Sequence, residues 1–230
     1  MIYYTGDTHG QTDKILDFVR RFQLKTKDVI IILGDAGFNY YGNGRGDKRV
    51  KRRLNAADVT IFCIHGNHER RPESLPCYHE TQWRGGVVYI EEMFQNLLFA
   101  KDGEIFDLDG HQSIVIGGAY SIDKYYRLQR GLDWFSDEQP TEVIKSRVES
   151  QLDRIDWQID SVLSHTCPAK YIPTEAFLPG IDQSEVDRST ENWLDSIEDR
   201  LVYSRWLCGH WHIDKNIDKL SFIMDSFLSA

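Results

Sequence analysis

Cysteine is scarce: Cys63, Cys77, Cys167 and Cys208 are the only four among 230 residues, and no two form a Cys-x-x-Cys pair. That excludes a zinc ribbon or a dithiol redox motif and leaves reduced, buried thiols as the plain reading. Long hydrophobic runs are also lacking. The longest aliphatic stretch, Val29–Leu33, falls far short of the roughly 20 residues that span a bilayer. The opening Met1-Ile2-Tyr3-Tyr4-Thr5 has neither the basic segment nor the apolar core of a signal peptide. No internal repeat, low-complexity tract or Pro/Ser-rich linker divides the chain, so one domain spanning 1–230 is expected. Basic charge is in short supply too, with 27 Lys plus Arg against 36 Asp plus Glu and a net charge of -9. This argues against a protein that coats nucleic acid electrostatically. It leaves nucleic acid possible only as a substrate, because bound cations can reverse the field in one cleft. The expectation is a cytoplasmic protein with no membrane partner.

What is present suffices for a core, since 41% of residues are hydrophobic. The first half alternates strand and helix. Met1–Thr5 reads as a strand, and Thr12–Phe22 as a helix with Ile15, Phe18, Val19 and Phe22 on one face. Asp28–Leu33 reads as a buried strand, Lys48–Ala57 as a basic helix and Val59–Ile64 as another strand. This order implies a largely parallel sheet. In the middle, Val87–Ile90, Leu97–Ala100, Glu104–Leu108 and Ser113–Ile116 are short apolar runs that suit antiparallel strands. A helix follows at Val143–Ile155, then a strand at Asp160–Ser164, a helix at Thr190–Ile197, a strand at Val202–Cys208 and a hairpin around Ile217–Met224. The sum is an α/β fold, a two-sheet β-sandwich flanked by helices.

Clusters of Gly, Asp, Asn and His follow five of these strands. They are Gly6-Asp7-Thr8-His9-Gly10, Gly34-Asp35, Gly66-Asn67-His68-Glu69, Ser164-His165 and Gly209-His210-Trp211-His212. Ligands of α/β sheets bind beyond the carboxyl ends of the strands, so these loops are placed to converge. Two carboxylates, an amide oxygen and several imidazoles form a mixed oxygen–nitrogen donor set suited to divalent transition metals. Asp7 and His9, like His210 and His212, alternate by two and can face the same way from an extended loop. Seven such donors suit two ions sharing a carboxylate, the clamp used for in-line displacement at phosphorus.

The five blocks, D-x-H, G-D, G-N-H-[DE], a later H and G-H-x-H, stand in the order that the calcineurin-like metallophosphoesterases show. The sequence resembles that family from Asp7 to His212. The resemblance implies a metallophosphoesterase-like four-layer α/β domain and a metal-dependent phosphoric ester hydrolase. It implies that Asp7, His9 and His212 hold one metal, that Asn67, His165 and His210 hold the other, and that Asp35 bridges them. It further implies attack by a metal-bridging hydroxide, with His68 as the general acid. The cofactors expected are two divalent ions, Mn2+ first, with Fe, Zn or Co as alternatives. The substrate is a phosphate ester, with a phosphodiesterase or nucleotide-directed activity set ahead of a phosphomonoesterase or protein phosphatase. The rival class is a non-catalytic binding scaffold on the same fold, ranked low because His68 and all seven ligands are present.

His65, His79 and His111 fall outside the blocks and are read as structural. The run Lys48, Arg49, Lys51, Arg52, Arg53 is read as a solvated helix face rather than a phosphate patch. Arg70 and Arg71 directly follow the Gly66 block, which leaves open whether one reaches a substrate phosphate. Gly34-Asp35 continues as Ala36-Gly37-Phe38 and lacks the D-R-G ending of the Ser/Thr protein phosphatase branch. The acid that would orient His68 is therefore missing from its usual place. Gly117-Gly118-Ala119-Tyr120-Ser121 follows a strand and is read as another lip of the cleft, with Tyr120, Tyr125, Tyr126 and Arg127 as candidate substrate contacts, and the insertion 119–158 is expected to shape specificity.

Overall fold

Period-two alternation explains the layers. In β2 (Val29–Ile32) all four residues are buried, but Val29 and Ile31 join one apolar cluster while Ile30 and Ile32 join another. A strand that is apolar on both faces must have a layer on each side. A computed structural model describes residues 1–229 and shows what those layers are. The first sheet contains β1 (Ile2–Thr5), β2, β3 (Thr60–Cys63), β4 (Tyr78–Trp83), β5 (Gly86–Glu91), β6 (Leu97–Ala100) and β13 (Leu228–Ser229), in the order β13-β1-β2-β3-β6-β5-β4. The second contains β7 (Ile105–Leu108), β8 (His111–Ile116), β9 (Gln158–Ser164), β10 (Val202–Cys208), β11 (Lys215–Ile217) and β12 (Leu220–Phe222), in the order β11-β12-β10-β9-β8-β7.

The central core lies between the sheets. Ile31, Phe62 and Leu98 from the first meet Phe106, Val115, Leu163 and Leu207 from the second. Outside the first sheet, α1 (Asp13–Phe22) and α2 (Arg45–Asn55) cover Ile30, Ile61 and Phe99 with Ile15, Val19 and Leu54. Outside the second, α4 (Glu142–Arg154) and α5 (Ser189–Glu198) cover Ile114, Val162 and Trp206. Helix α4 buries Ile144, Val148 and Leu152, an i, i+4, i+8 stripe, and Thr141 caps its start by accepting the Ile144 N–H. The result is the helix–sheet–sheet–helix fold expected from the sequence.

Three elements escape sequence patterning, and one pairing differs. Strand β4 is an edge strand with one neighbour and alternates weakly. Helix α3 (Lys124–Arg130), inside the insertion, buries no residue and so has no apolar stripe to read. Strand β13 is two residues long. The middle strands are not simply antiparallel: β6 runs parallel to β3, and β8 parallel to β9. Cys63, Cys167 and Cys208 are buried, Cys77 is half-buried, and all four are unbridged. Among the described residues no helix is long and apolar enough to cross a membrane.

The parallel strands β1, β2, β3 of one sheet and β9, β10 of the other position the site. Each is followed within three residues by one of the five polar blocks.

Candidate metal centre

The eight residues singled out by sequence meet at one edge of the sandwich. Asp7, past the end of β1, is 3% exposed. Its Oδ1 accepts the backbone N–H of His210 at 3.0 Å. Its Oδ2 lies 3.1 Å from His212 Nε2 and 3.9 Å from His9 Nε2, yet neither nitrogen is aligned for a hydrogen bond and the oxygen has no such partner. An oxygen buried in that way costs about 1–3 kcal/mol unless something else satisfies it. Burial alone would raise the Asp7 pKa, but His212, His165 and the His210 N–H together hold it well below the usual carboxylate range. His212 is raised in turn, chiefly by Asp7.

Asp35 stands between two groups of donors. Its Oδ2 is 3.9 Å from His9 Nδ1, and its Oδ1 is 3.7 Å from His165 Nε2 while accepting the His68 N–H at 2.8 Å. On the far side, Asn67 Oδ1 lies 2.8 Å from His165 Nε2 and 3.1 Å from His210 Nδ1. Asn67 Nδ2 donates to Ser121 Oγ at 2.8 Å, which fixes the amide so that its oxygen turns inward.

His165 supplies the clearest test of whether a cation fits. Its Nδ1 is 2.9 Å from the Leu33 carbonyl, which can only accept, so Nδ1 carries the proton. In a neutral ring Nε2 then presents a lone pair to Asn67 Oδ1 and Asp35 Oδ1, two further acceptors. His9 Nε2 and His212 Nε2 lie 3.2 Å apart beside the Asp7 carboxylate, where an N–H of one ring can donate to the other. Acceptors gathered as they are around His165 Nε2 repel unless a positive charge sits among them. Asp7, His9 and His212 form one group with donor atoms within 4.8 Å of one another, and Asp7, Asp35 and His165 form a second. The donor set therefore fits divalent cations, and a carbonyl-anchored imidazole is the usual support for a metal-ligating one.

The backbone is shaped around this cluster at a cost. His9, Asp35, His210 and His212 all have positive φ, between 46° and 67°, a region that costs a non-glycine residue about 1–3 kcal/mol. Gly34 has φ +98°, and a Cβ there would lie 1.9 Å from His165 Nδ1, so only glycine lets that ring approach. Glu69 supports the loop after Asp35 by accepting the N–H groups of Ala36 and Phe38, each at 3.2 Å. Burial, then the charge of Asp35, pushes the Glu69 pKa up to about 8.

His68 sits at the junction of two cavities. One, of about 250 Å3, also reaches Asp35, Asn67, His210, Trp211 and Glu191. The other, of about 410 Å3, reaches His9, Tyr40, Tyr41 and Arg127. Burial holds the His68 pKa below its ordinary value, with the Asp35 charge opposing.

Residues 1–214 match the family model of the calcineurin-like phosphoesterases. The chain belongs to that family. Membership makes it a relative of metal-dependent phosphoester hydrolases, which typically hold two divalent ions. No curated protein matches the chain. Among solved structures, the crystal structure of TT1561 of Thermus thermophilus aligns over 97% of this chain and 87% of its own, at 12% identity and a TM-score of 0.52. A second crystal structure aligns over 96% and 88%, at 11% identity and a TM-score of 0.50. At such identities the likeness concerns the fold.

Other candidates fall elsewhere. Arg71 is buried against Asp102, and the half-exposed Arg70 lies near Asp133 and over the Phe135 ring; neither lines the two cavities at the centre. His65 is buried, with Nε2 3.1 Å from the Glu69 carbonyl. Tyr125 and Tyr126 are exposed, whereas Tyr120 and Arg127 line the cavities. Two residues near the site were not signalled by any motif: Asp123, which accepts from Arg127 Nε at 2.7 Å, and Glu191, in the wall of the smaller cavity. Ser121, which orients Asn67, closes the glycine-led segment read as a lip of the cleft. Asp123 lies in the insertion, whose length was the only hint of its role.

Proposed function

We propose that this chain is a two-metal phosphodiesterase acting on small organic phosphodiesters, working as one catalytic domain over 1–230. The observation that carries the reading is that the two cavities flank the metal centre and share His68. A diester has an organic group on each side of phosphorus and needs two such spaces; a monoester needs one.

In this reading Asp7, His9 and His212 would hold one cation, Asn67, His165 and His210 the other, and Asp35 would serve both. Divalent ions, with manganese as the first choice, would supply charge neutralisation at the phosphoryl oxygens and acidify the attacking water. His165 is locked by the Leu33 carbonyl and Asn67 by Ser121, so the donors are set before substrate arrives. His68, its backbone tied to Asp35, gives a proton to the departing oxygen. Arg127, held by Asp123 and by the Tyr40 hydroxyl at 3.1 Å, brings positive charge into the second cavity, where it neutralises phosphoryl charge.

The test is hydrolysis of bis-p-nitrophenyl phosphate and p-nitrophenyl phosphate by metal-stripped protein, with and without Mn2+. Manganese-dependent turnover that favours the diester is expected. Preference for the monoester would overturn the diesterase assignment, and turnover unaffected by Asp35→Asn would overturn the metal roles.

A further inference from the structure

The smaller cavity has more chemistry than ester hydrolysis requires. Its walls come largely from the irregular connection between β9 and α5, residues 165–188, which carries only three single 3-10 turns. A connection that long without helix or strand is commonly functional. Ile172, Phe177, Leu178 and Val186 from this segment line the cavity together with Ile122 and Trp211, making a mainly apolar slot. Phe177 and Trp211 are 6.2 Å apart between ring centroids and tilted by 34°. They form one aromatic wall and leave no gap between them for a third ring. At about 250 Å3 the cavity lies just below the roughly 300–1,000 Å3 of small-molecule sites. It is sized for one organic group and not for a folded partner.

Away from the metal-centre residues three carboxylates interrupt this apolar lining, Asp123, Asp187 and Glu191, and of these only Glu191 is buried. Glu191, at the start of α5, lines the cavity and is 4% exposed. Trp211 Nε1 donates to Thr166 Oγ1 at 3.2 Å, and Thr166 Oγ1 donates to Glu191 Oε1 at 2.8 Å. This chain holds the indole and the carboxyl in fixed relation to each other. Glu191 Oε2 has no partner in the protein. A buried, immobilised acceptor beside an aromatic wall asks for a ring that is apolar on its face and carries an N–H donor on its edge.

We propose that this cavity holds an amino-bearing nucleobase, stacked on the Trp211–Phe177 wall with its exocyclic N–H directed to Glu191, so that the substrate is a nucleoside phosphodiester. This rests on the diesterase reading for the reaction but not for the recognition, and the two are tested apart. Base–aromatic stacking tolerates any base, whereas an unpaired buried acceptor selects for the donor.

Equilibrium binding to the manganese-loaded full chain, followed by calorimetry, needs no turnover. Adenosine 5′-monophosphate should bind about ten-fold or more tightly than ribose 5-phosphate. It should also bind more tightly than its N6,N6-dimethyl analogue, which keeps the ring and loses the donor. In Trp211→Ala the first preference should shrink. In Glu191→Met the second should vanish, and in Glu191→Gln, which retains an acceptor oxygen, it should persist. Each preference is a ratio taken within one protein, so a general weakening cancels. Equal binding of adenosine 5′-monophosphate and ribose 5-phosphate would overturn the proposal, as would discrimination that survives Glu191→Met. Nucleotide binding without diester turnover would sink the reaction assignment alone, and diester turnover without nucleobase preference would sink this one alone.

Discussion

At the scale of single residues, the centre is built from side chains whose neighbours leave them one orientation each. His165 is the clearest, pinned through Nδ1 by the Leu33 carbonyl and admitted by a glycine at 34. His68 differs, since its backbone is tied to Asp35 while its side chain lines both cavities. A proton donor is dispensable when the departing oxygen is already a good leaving group. His68→Ala is therefore expected to lower kcat by about 10²–10⁴ on an alkyl or nucleoside ester and far less on a p-nitrophenyl ester. Steady-state rates across leaving groups of graded basicity check this, and an equal loss on all of them would rule out the acid role. The ligand candidates were legible because a metal site needs particular atoms at strand ends, and glycine beside Asp, Asn or His at such ends leaves a short-range trace. Glu191 and Asp123 left none. They are two acids among 36, and only tertiary packing picks them out. Arg70 and Arg71 show the converse: adjacency to a motif did not bring either into the cavity walls, and a buried ion pair with Asp102 engages Arg71.

Among the elements, α2 shows how a charge run misleads. The sequence from Lys48 to Arg53 suggests a solvated basic face, and Arg49 and Arg52 are indeed exposed. Lys51, however, is 1% exposed, pairs with Glu91 and lies 5.0 Å from the centroid of the Tyr78 ring. It ties the helix to β4 and β5, a contact between distant segments that no periodicity encodes. Removing one member of a buried pair strands the other, so Lys51→Ala should cost about 3–5 kcal/mol. Arg49→Ala and Arg52→Ala should each stay within about 0.5 kcal/mol. Urea denaturation of the three variants gives the comparison. Strands with two buried faces were readable as apolar runs, whereas the edge strand β4 and α3, which has no fully buried residue, were not. The second bears on function all the same, since α3 carries Arg127 and Asp123 stands just before it.

For the whole molecule, the two sheets share one core and one site. Asp7, His9, Asp35 and Asn67 follow strands of the first sheet, and His165, His210 and His212 follow strands of the second. Cations that bind the folded arrangement alone stabilise it by mass action, about 2.7 kcal/mol per site at a hundred-fold excess over Kd. For a chain of this size that corresponds to a rise in Tm of about 5–10 °C. Thermal melts of chelated protein with and without Mn2+ should show it, and an unchanged Tm would mean that the donors do not bind the metal. The division of ligands has a second consequence, which concerns distance measurement. A centre assembled across a seam works as a gauge of how one sheet sits on the other. Phe62 of β3 and Phe106 of β7 meet edge to face in that seam, 4.9 Å between centroids. A change there that slid the sheets by an ångström would leave most of the core buried, yet misplacement of that size costs a reaction about a hundred-fold. Catalysis in this fold therefore reads out core alignment more finely than melting does, and inactive variants with nearly normal stability are to be sought along the seam as well as around the metals.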